Sequence, residues 1–442
     1  MIEIFTPLII TKFKGYCMKS IRDVFRGNLL IFTLGDVMRQ LSMFITFPFF
    51  SLYIQTLGGS VVDIGLVNSF RPFAAFFIYP IAGFIADKYS RVKIISVSGF
   101  IIAFLYLIFT LAPDWRILAL GNFLMGFMVF IFPAMNALMA DSLPPGKRGV
   151  GYSLWMAVPS AVGIISPYIG GYLITFYGIE KAMRALYGLS VIVNIGVSTL
   201  NFKFLTEPIT RKGINSSGKG FFKILSDSYR DMFEILKWLP RNLKAFSLML
   251  ILSTFINSVT APYWVIYVVE EMGLLEIQWG TILLIAAIIN VLLLIPVGII
   301  VDKFEVKKLL SLAFALSAVP IFLFPFSRRF TDTVLLFIVM TVANTFLISG
   351  APTFMAHSVP SDKRGRVMAA LGQGMLVINT RGGSGGGPGM GSILTIPSIL
   401  GSVIGGFIYR FDATLPWLLL AIFLLFNSGI AIALISSSKN KT

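Results

Sequence analysis

The 442-residue sequence has one cysteine, Cys17, and one histidine, His357, which excludes a disulfide framework and any Cys/His metal cluster. Charge is scarce as well: only 13% of residues are Asp, Glu, Lys or Arg, and acids (20) are far fewer than bases (36). A net charge of +16 in a soluble chain points towards nucleic acid. Here Lys and Arg sit in short clusters between apolar runs, which argues against a nucleic-acid partner. What the sequence has in excess is hydrocarbon: 56% hydrophobic residues, 14% aromatics and a mean hydropathy of +0.86. Such a chain cannot cover its own apolar surface, so lipid must be its solvent over much of its length.

A helix rising about 1.5 Å per residue needs roughly 20 apolar residues to cross ~30 Å of hydrocarbon. Runs of that kind lie at 28–55, 63–86, 93–112, 117–140, 151–177 and 184–204, and again at 245–269, 277–301, 309–327, 332–356, 366–409 and 414–435. The expected fold is an all-α integral membrane protein with 12 transmembrane helices in two pseudo-symmetric six-helix bundles. Its segments are an N-terminal tail (1–27), a first bundle (28–205), a linker (206–243), a second bundle (244–435) and a tail (436–442). Met1 to Ile10 lacks the basic region and cleavage site of a signal peptide, and Met18 offers a second plausible start. Of 36 Lys and Arg, 27 fall on the side shared by both termini and 6 on the other. The positive-inside rule therefore puts both termini in the cytoplasm, across the cell membrane. In the linker, Phe222, Leu225, Tyr229, Phe233 and Leu236 recur at helical spacing, as expected of a helix lying in the headgroup region, with a solvated connector as the alternative.

The halves repeat each other. Gly83 to Lys88 (GFIADK) returns 215 residues later as Gly298 to Lys303 (GIIVDK), and Asp141-Ser-Leu-Pro144 returns as His357-Ser-Val-Pro360, an offset of 216. Tyr53 and Gly65 find Tyr267 and Gly280 at 214 and 215. Two such bundles facing each other enclose the crevice that alternating access requires.

Gly83-Phe-Ile-Ala-Asp87-Lys-Tyr-Ser-Arg91-Val-Lys93 resembles the signature loop of the major facilitator superfamily. The partial copy at 298–308 and the acid-plus-Arg element of Asp141 and Arg148 strengthen the resemblance. It implies a secondary transporter whose cytoplasmic gate contains Gly83, Asp87, Arg91, Asp141, Arg148 and Asp302, in contacts that break on opening. Gly83 removes a side chain where helices would approach closely, Asp87 can face a helix N-terminus, and Arg91 and Asp141 are potential ion-pair partners. In the second half Val306 and His357 stand where that pair would be, so the first-half gate is expected to matter more. Gly163-Ile-Ile-Ser-Pro167-Tyr-Ile-Gly170-Gly171 is similar to the span-5 motif of proton-coupled drug antiporters, with Ser166 in place of an expected Gly.

Ionisable residues inside spans cost roughly 2.5–3.5 kcal/mol each on insertion scales, which makes them functional candidates. Asp36 is the main acid, either a proton-coupling site or a fixed counter-ion of Arg39 or Arg71. Arg71, with Asn68 one turn before it, either attracts an anionic group or is satisfied by Asp36. Trp155, Tyr168, Asn257, Tyr263 and Asn290 are polar or aromatic candidates for the cavity wall. The eleventh run is interrupted: Arg366 to Thr380 is too short to cross alone, and Arg381 to Gly391 holds seven glycines. An unwound stretch with Arg381 at the central cavity is one reading, a flexible external loop the other. No catalytic constellation lies in the spans, and a receptor needs no duplication, so an enzyme or a receptor is disfavoured. The expectation is a monomeric, proton-coupled exporter of amphipathic, drug-like compounds without cofactor or metal, with small organic anions as the alternative solute.

Overall fold

The computed structural model describes residues 25–208, 226, 229–230, 234–360, 362–383 and 389–434. Among these are 12 helices long and apolar enough to span a bilayer. In chain order they are α1 (Gly27–Thr56), α2 (Val61–Lys88), α3 (Arg91–Leu111), α4 (Trp115–Ser142), α5 (Arg148–Tyr177) and α6 (Ile179–Phe204). The second set is α7 (Arg241–Glu271), α8 (Glu276–Lys303), α9 (Val306–Phe326), α10 (Phe330–Ser358), α11 (Ser392–Phe411) and α12 (Leu415–Leu434). Polar residues stop and start them where the apolar runs end. Ser60 and Asp63 form a capping box at the head of α2, the Ser90 hydroxyl caps α3, and the Asp114 carboxylate caps α4. The chain end, Met18 and linker residues Phe222, Leu225 and Phe233 lie outside the described residues.

The duplication read from the sequence has a physical counterpart in the packing. α3 lies on α6 as α9 lies on α12, α1 on α5 as α7 on α11, and α2 on α4 as α8 on α10. Tyr53 donates its hydroxyl to the Phe109 carbonyl (2.9 Å), and Tyr267 does the same to Pro325 (3.0 Å). Each bond ties the first helix of a half to its third. Both first helices also tighten into a 3₁₀ turn at a proline, Pro48 in α1 and Pro262 in α7.

Across the crevice α2 meets α11, and α5 meets α8. At the end where α2 and α8 begin, the backbones come so close that only glycine fits. A β-carbon on Gly65 would strike the Ser402 carbonyl, one on Gly280 the Pro167 carbonyl, and one on Gly171 the Glu276 carbonyl. Polar bonds reinforce this seal. Tyr263 donates to the Val61 carbonyl (3.0 Å), Thr175 to Glu276 (3.1 Å), and the Gln55 amide to Glu270 (3.1 Å). At the opposite, basic end the halves stand apart around a cavity of about 600 Å³. Its lining includes Tyr79, Gly83 and Asn136 from the first half and Arg366, Gln373 and Met390 from the second.

Two expectations are corrected at this level. Run 366–409 contains less helix than its composition suggests: only Arg364–Leu371 is helical before α11, ended by Gly372 at φ +74°. Residues 373–380 carry no helix although they are apolar enough, because Asn side chains take the place of helix partners for their backbone. The linker also differs. Its described end does not lie free in the headgroups: Ile235 and Leu239 are buried in the protein core, and Trp238 lies 3.7 Å beneath the Lys363 ammonium. Tyr229 bonds the Phe76 carbonyl (2.9 Å), which has lost its helical donor to Pro80.

Candidate functional site: a cationic crevice crossed by an unwound segment

The charges of α1 are the first components of the site. Asp36 and Arg39 are three residues apart on one face, with carboxylate and guanidinium 3.7 Å apart. The indole N–H of Trp155 donates to Asp36 at 2.6 Å. Asp36 is thus shared between Arg39 and α5, and its carboxylate does not reach Arg71. The reading in which Asp36 satisfies Arg71 is therefore corrected: among the described residues no carboxylate lies within salt-bridge distance of Arg71, and its Nε is buried with no hydrogen-bond partner.

Arg71 lines a small cavity of about 60 Å³ together with Asn68, Phe47, Tyr106, Tyr187 and Gly383. Asn68 donates to the Ile64 carbonyl (2.8 Å) and Asn122 to the Val67 carbonyl (2.6 Å), which fixes their amides in the cavity wall. Gly126 of α4 packs directly on the Arg71 backbone, holding the helix at that point.

The unwound segment reaches this cavity from the other half. Asn257 of α7 accepts the Asn379 N–H (2.7 Å) and donates to the Val377 carbonyl (2.9 Å). Asn344 of α10 accepts the Ile378 N–H (2.9 Å) and donates to the Ile378 carbonyl (3.3 Å). The two amides replace the helical ladder, which is how irregular backbone survives at membrane depth. Leu376 and Ile378 are buried beside them. The chain then crosses to α1, where the Arg381 guanidinium lies 5.2 Å from the Phe44 ring centroid and Gly383 packs on the Phe47 ring. Arg381 itself is exposed within the crevice. The external-loop reading of residues 381–383 does not hold; 384–388 lie outside the described residues.

The remaining candidates separate. Trp155 bonds Asp36, and Asn257 holds the unwound segment. Tyr263 stacks on Tyr409 (centroids 4.7 Å apart) and belongs to the sealed end. Asn290 joins α8 to α10 through Thr345 (3.0 Å), a structural tie. Tyr168 is half-buried, its backbone against Gly280. The span-5 motif is a packing device here. Gly163 touches the Phe44 ring, Gly170 abuts the Ile45 carbonyl of α1, Gly171 abuts α8, and Pro167 restarts the helix after a break at residues 164–165.

Of the basic-end residues, Arg91 and Asp141 form the expected salt bridge. Both belong to the first half, however, so the pair does not itself cross the crevice; it locks α3 to α4. Glu207 completes this lock, accepting from the Ser90 hydroxyl (2.8 Å) and the Arg91 N–H (3.3 Å). Asn28 adds bonds to Ser142 (2.8 Å) and to the Thr206 carbonyl (2.7 Å). The sequence reading missed Glu207, Asn28, Asn344 and Asn379. Asn344 carried a usable signal, a lone amide in an apolar run like Asn257. Gly83 and Gly298 have open space around them, so the close approach expected at Gly83 is not made while this end is open. Asp87, Arg148 and Asp302 are exposed at the same end.

Comparison with known proteins decides the family. The Major Facilitator Superfamily model matches residues 32–379, most of the chain. The chain belongs to the Major Facilitator Superfamily. Within it, the chain is 30% identical over 201 residues to the multi-drug resistance efflux pump PmrA homolog of Lactococcus lactis, a match covering 43% of this chain and 48% of that protein. The first three curated relatives are thus matched over about half their length or less. The multidrug resistance protein MdtG of Salmonella schwarzengrund is 24% identical over 78% of this chain and 84% of its own. Among solved structures, the nucleoside transporter NupG superposes with a TM-score of 0.68 at 15% identity, covering 92% of this chain and 99% of that one. A bacterial homolog of the human lysosomal transporter Spinster, inward-facing and occupied, gives 0.65 at 15% identity over 91% and 95%. These superfamily neighbours share the fold of two facing six-helix bundles.

Proposed function

We propose that this protein is a secondary transporter that exports amphipathic, drug-like compounds by alternating access, driven by the proton gradient. The observation that carries this reading is the crevice between two pseudo-symmetric halves, sealed by glycine contacts at one end and open at the other. Rocking the halves about the centre exchanges which end is closed. The efflux-pump names of the sequence relatives agree with outward movement.

Asp36 is the acid placed to couple protons. Its carboxylate bridges Arg39 on α1 and Trp155 on α5, so protonation weakens one link between helices that line the path. In this reading the protein is a plasma-membrane carrier acting as a monomer, with the open end and both termini in the cytoplasm, in keeping with the excess of Lys and Arg at that end.

The test is flux in proteoliposomes under an imposed pH gradient, screening cationic dyes against organic acids. Gradient-dependent accumulation of an amphipathic dye supports the reading; no solute moving under any ion gradient removes it.

A further inference from the structure

The crevice contains more positive charge than its own acids neutralise. Arg39 is offset by Asp36, whereas Arg71 and Arg381 have no carboxylate within salt-bridge distance among the described residues. For Arg71, whose Nε is buried without a partner, the missing counter-charge is expensive, and the cost is recovered when an anion enters. Arg71 lines the small cavity from α2, and Gly383, two residues beyond Arg381, lines the same cavity from the unwound segment. Arg381 does not itself line that cavity; its guanidinium lies 5.2 Å from the ring centroid of Phe44, one turn of α1 before the lining residue Phe47.

Size narrows the occupant. About 60 Å³ accommodates a carboxylate- or sulfonate-sized group and excludes a whole drug-sized molecule. The cavity of about 600 Å³ has room for such a body, and the inserted segment borders both, through Gly383 on one side and Gly372, Gln373 and Gly389 on the other. The cradle on the segment is also shaped for close approach. Gly382 and Gly383 have φ of +88° and +69°, and a side chain on Gly383 would collide with Phe47.

We infer that Arg71 and Arg381 form one anion-binding site, assembled across the crevice by the inserted segment, which selects amphipathic solutes carrying a carboxylate or sulfonate. Arg71 is the fixed member, held by the packing of α4 on its backbone. Arg381 is the moving member, carried by Asn257 and Asn344 with the second half. An anion bound between them links the halves, so the site forms or opens as they rock. This inference rests on the transport reading, and its test distinguishes the two.

The experiment uses the full chain in proteoliposomes with 5-carboxyfluorescein as anionic probe and ethidium as cationic probe, in wild type, Arg71→Gln, Arg381→Gln and Arg71→Lys. A charge-assisted bond lost at each substitution lowers carboxyfluorescein flux by at least about tenfold in both Gln variants. Arg71→Lys, which retains the charge, restores part of that flux, and this partial rescue separates anion binding from misfolding. Ethidium flux is low in wild type and does not fall in the Gln variants. Transport of ethidium in preference to carboxyfluorescein overturns the anion site and leaves the transport reading standing, as does carboxyfluorescein flux insensitive to both Gln variants. Movement of neither probe under any gradient overturns both.

Discussion

Asn257 on α7 grips Asn379 on the unwound segment, its side-chain oxygen accepting the Asn379 N–H at 2.7 Å while its amide donates to the carbonyl of Val377. One side chain thus satisfies backbone on both sides of Ile378, and Asn344 does the same at Ile378 itself. A membrane protein can leave a helix unwound only where such substitutes exist. The segment is therefore held in one place by two amides, and its position in the crevice depends on them.

Removing the grip should release the segment. Each of Asn257→Ala and Asn344→Ala leaves buried backbone groups unpaired, a cost of about 1–3 kcal/mol. Cysteines placed at residues 376–380 should then react with a polar maleimide about tenfold faster than in the parent carrying Cys17→Ser. Unchanged labelling would mean that neighbouring apolar contacts, not the amides, hold the segment.

Asp36→Asn should abolish gradient-driven transport and leave substrate exchange intact, because the amide can still accept the Trp155 indole N–H at Asp36's place but cannot titrate. Trp155→Phe should give a weaker version of the same defect. Loss of exchange together with loss of folding in Asp36→Asn would assign Asp36 to structure alone, as the counter-ion of Arg39.

The sealed end is sensitive to single β-carbons. Gly171→Val and Gly280→Val each force a methyl-bearing carbon against a carbonyl of the other half. Both should hold the far end ajar, raise labelling of a cysteine at Thr175, and lower turnover by about tenfold or more. Gly83→Val, in open space, should be tolerated in the conformation described here and slow transport only by blocking closure of the basic end. A high-affinity state open at the far end would be populated in the first two variants and depleted in the third.

Arg91 and Asp141 act within one half. Arg91→Ala removes one partner of the partly buried Asp141 carboxylate, a loss smaller than the about 3–5 kcal/mol of breaking a fully buried pair because Asp141 is 23% exposed. The double substitution Arg91→Ala with Asp141→Ala should be less damaging to thermal stability than the sum of the single ones. Neutralising Asp87 should still reduce transport far more than neutralising Asp302; equal losses would contradict an asymmetric gate.

How legible the molecule was in its sequence follows from what each signal measures. Apart from the start of α11, at Ser392 where the run began at 366, apolar runs found each span within about five residues because hydrocarbon imposes its thickness on the chain. The repeat at Tyr53 and Tyr267 was readable, and the structure gives the reason: each tyrosine makes the same bond in its own half. Gly65 and Gly280 were readable for the same reason, since both sit at the seal. Partners were not legible. Nothing in one dimension indicates that Glu207 caps α3, that Tyr263 belongs to the seal, or that Asp36 prefers Arg39 and Trp155 to Arg71. Those depend on which helix faces are brought together. The helix predicted over 366–380 stops at Leu371 because composition is blind to Asn257 and Asn344, more than 30 residues away in sequence, competing for its backbone.

The central claim is reciprocal motion of two rigid halves, and spin-label distances test it most directly. Labels at Tyr89 and Phe304, both exposed at the basic end, and at Tyr177 and Leu275, both exposed at the sealed end, report each mouth of the crevice. Adding a transported solute under a proton gradient should shorten the first distance and lengthen the second in the same fraction of molecules. A single unchanged distribution at both mouths, in protein that remains folded, would contradict the account.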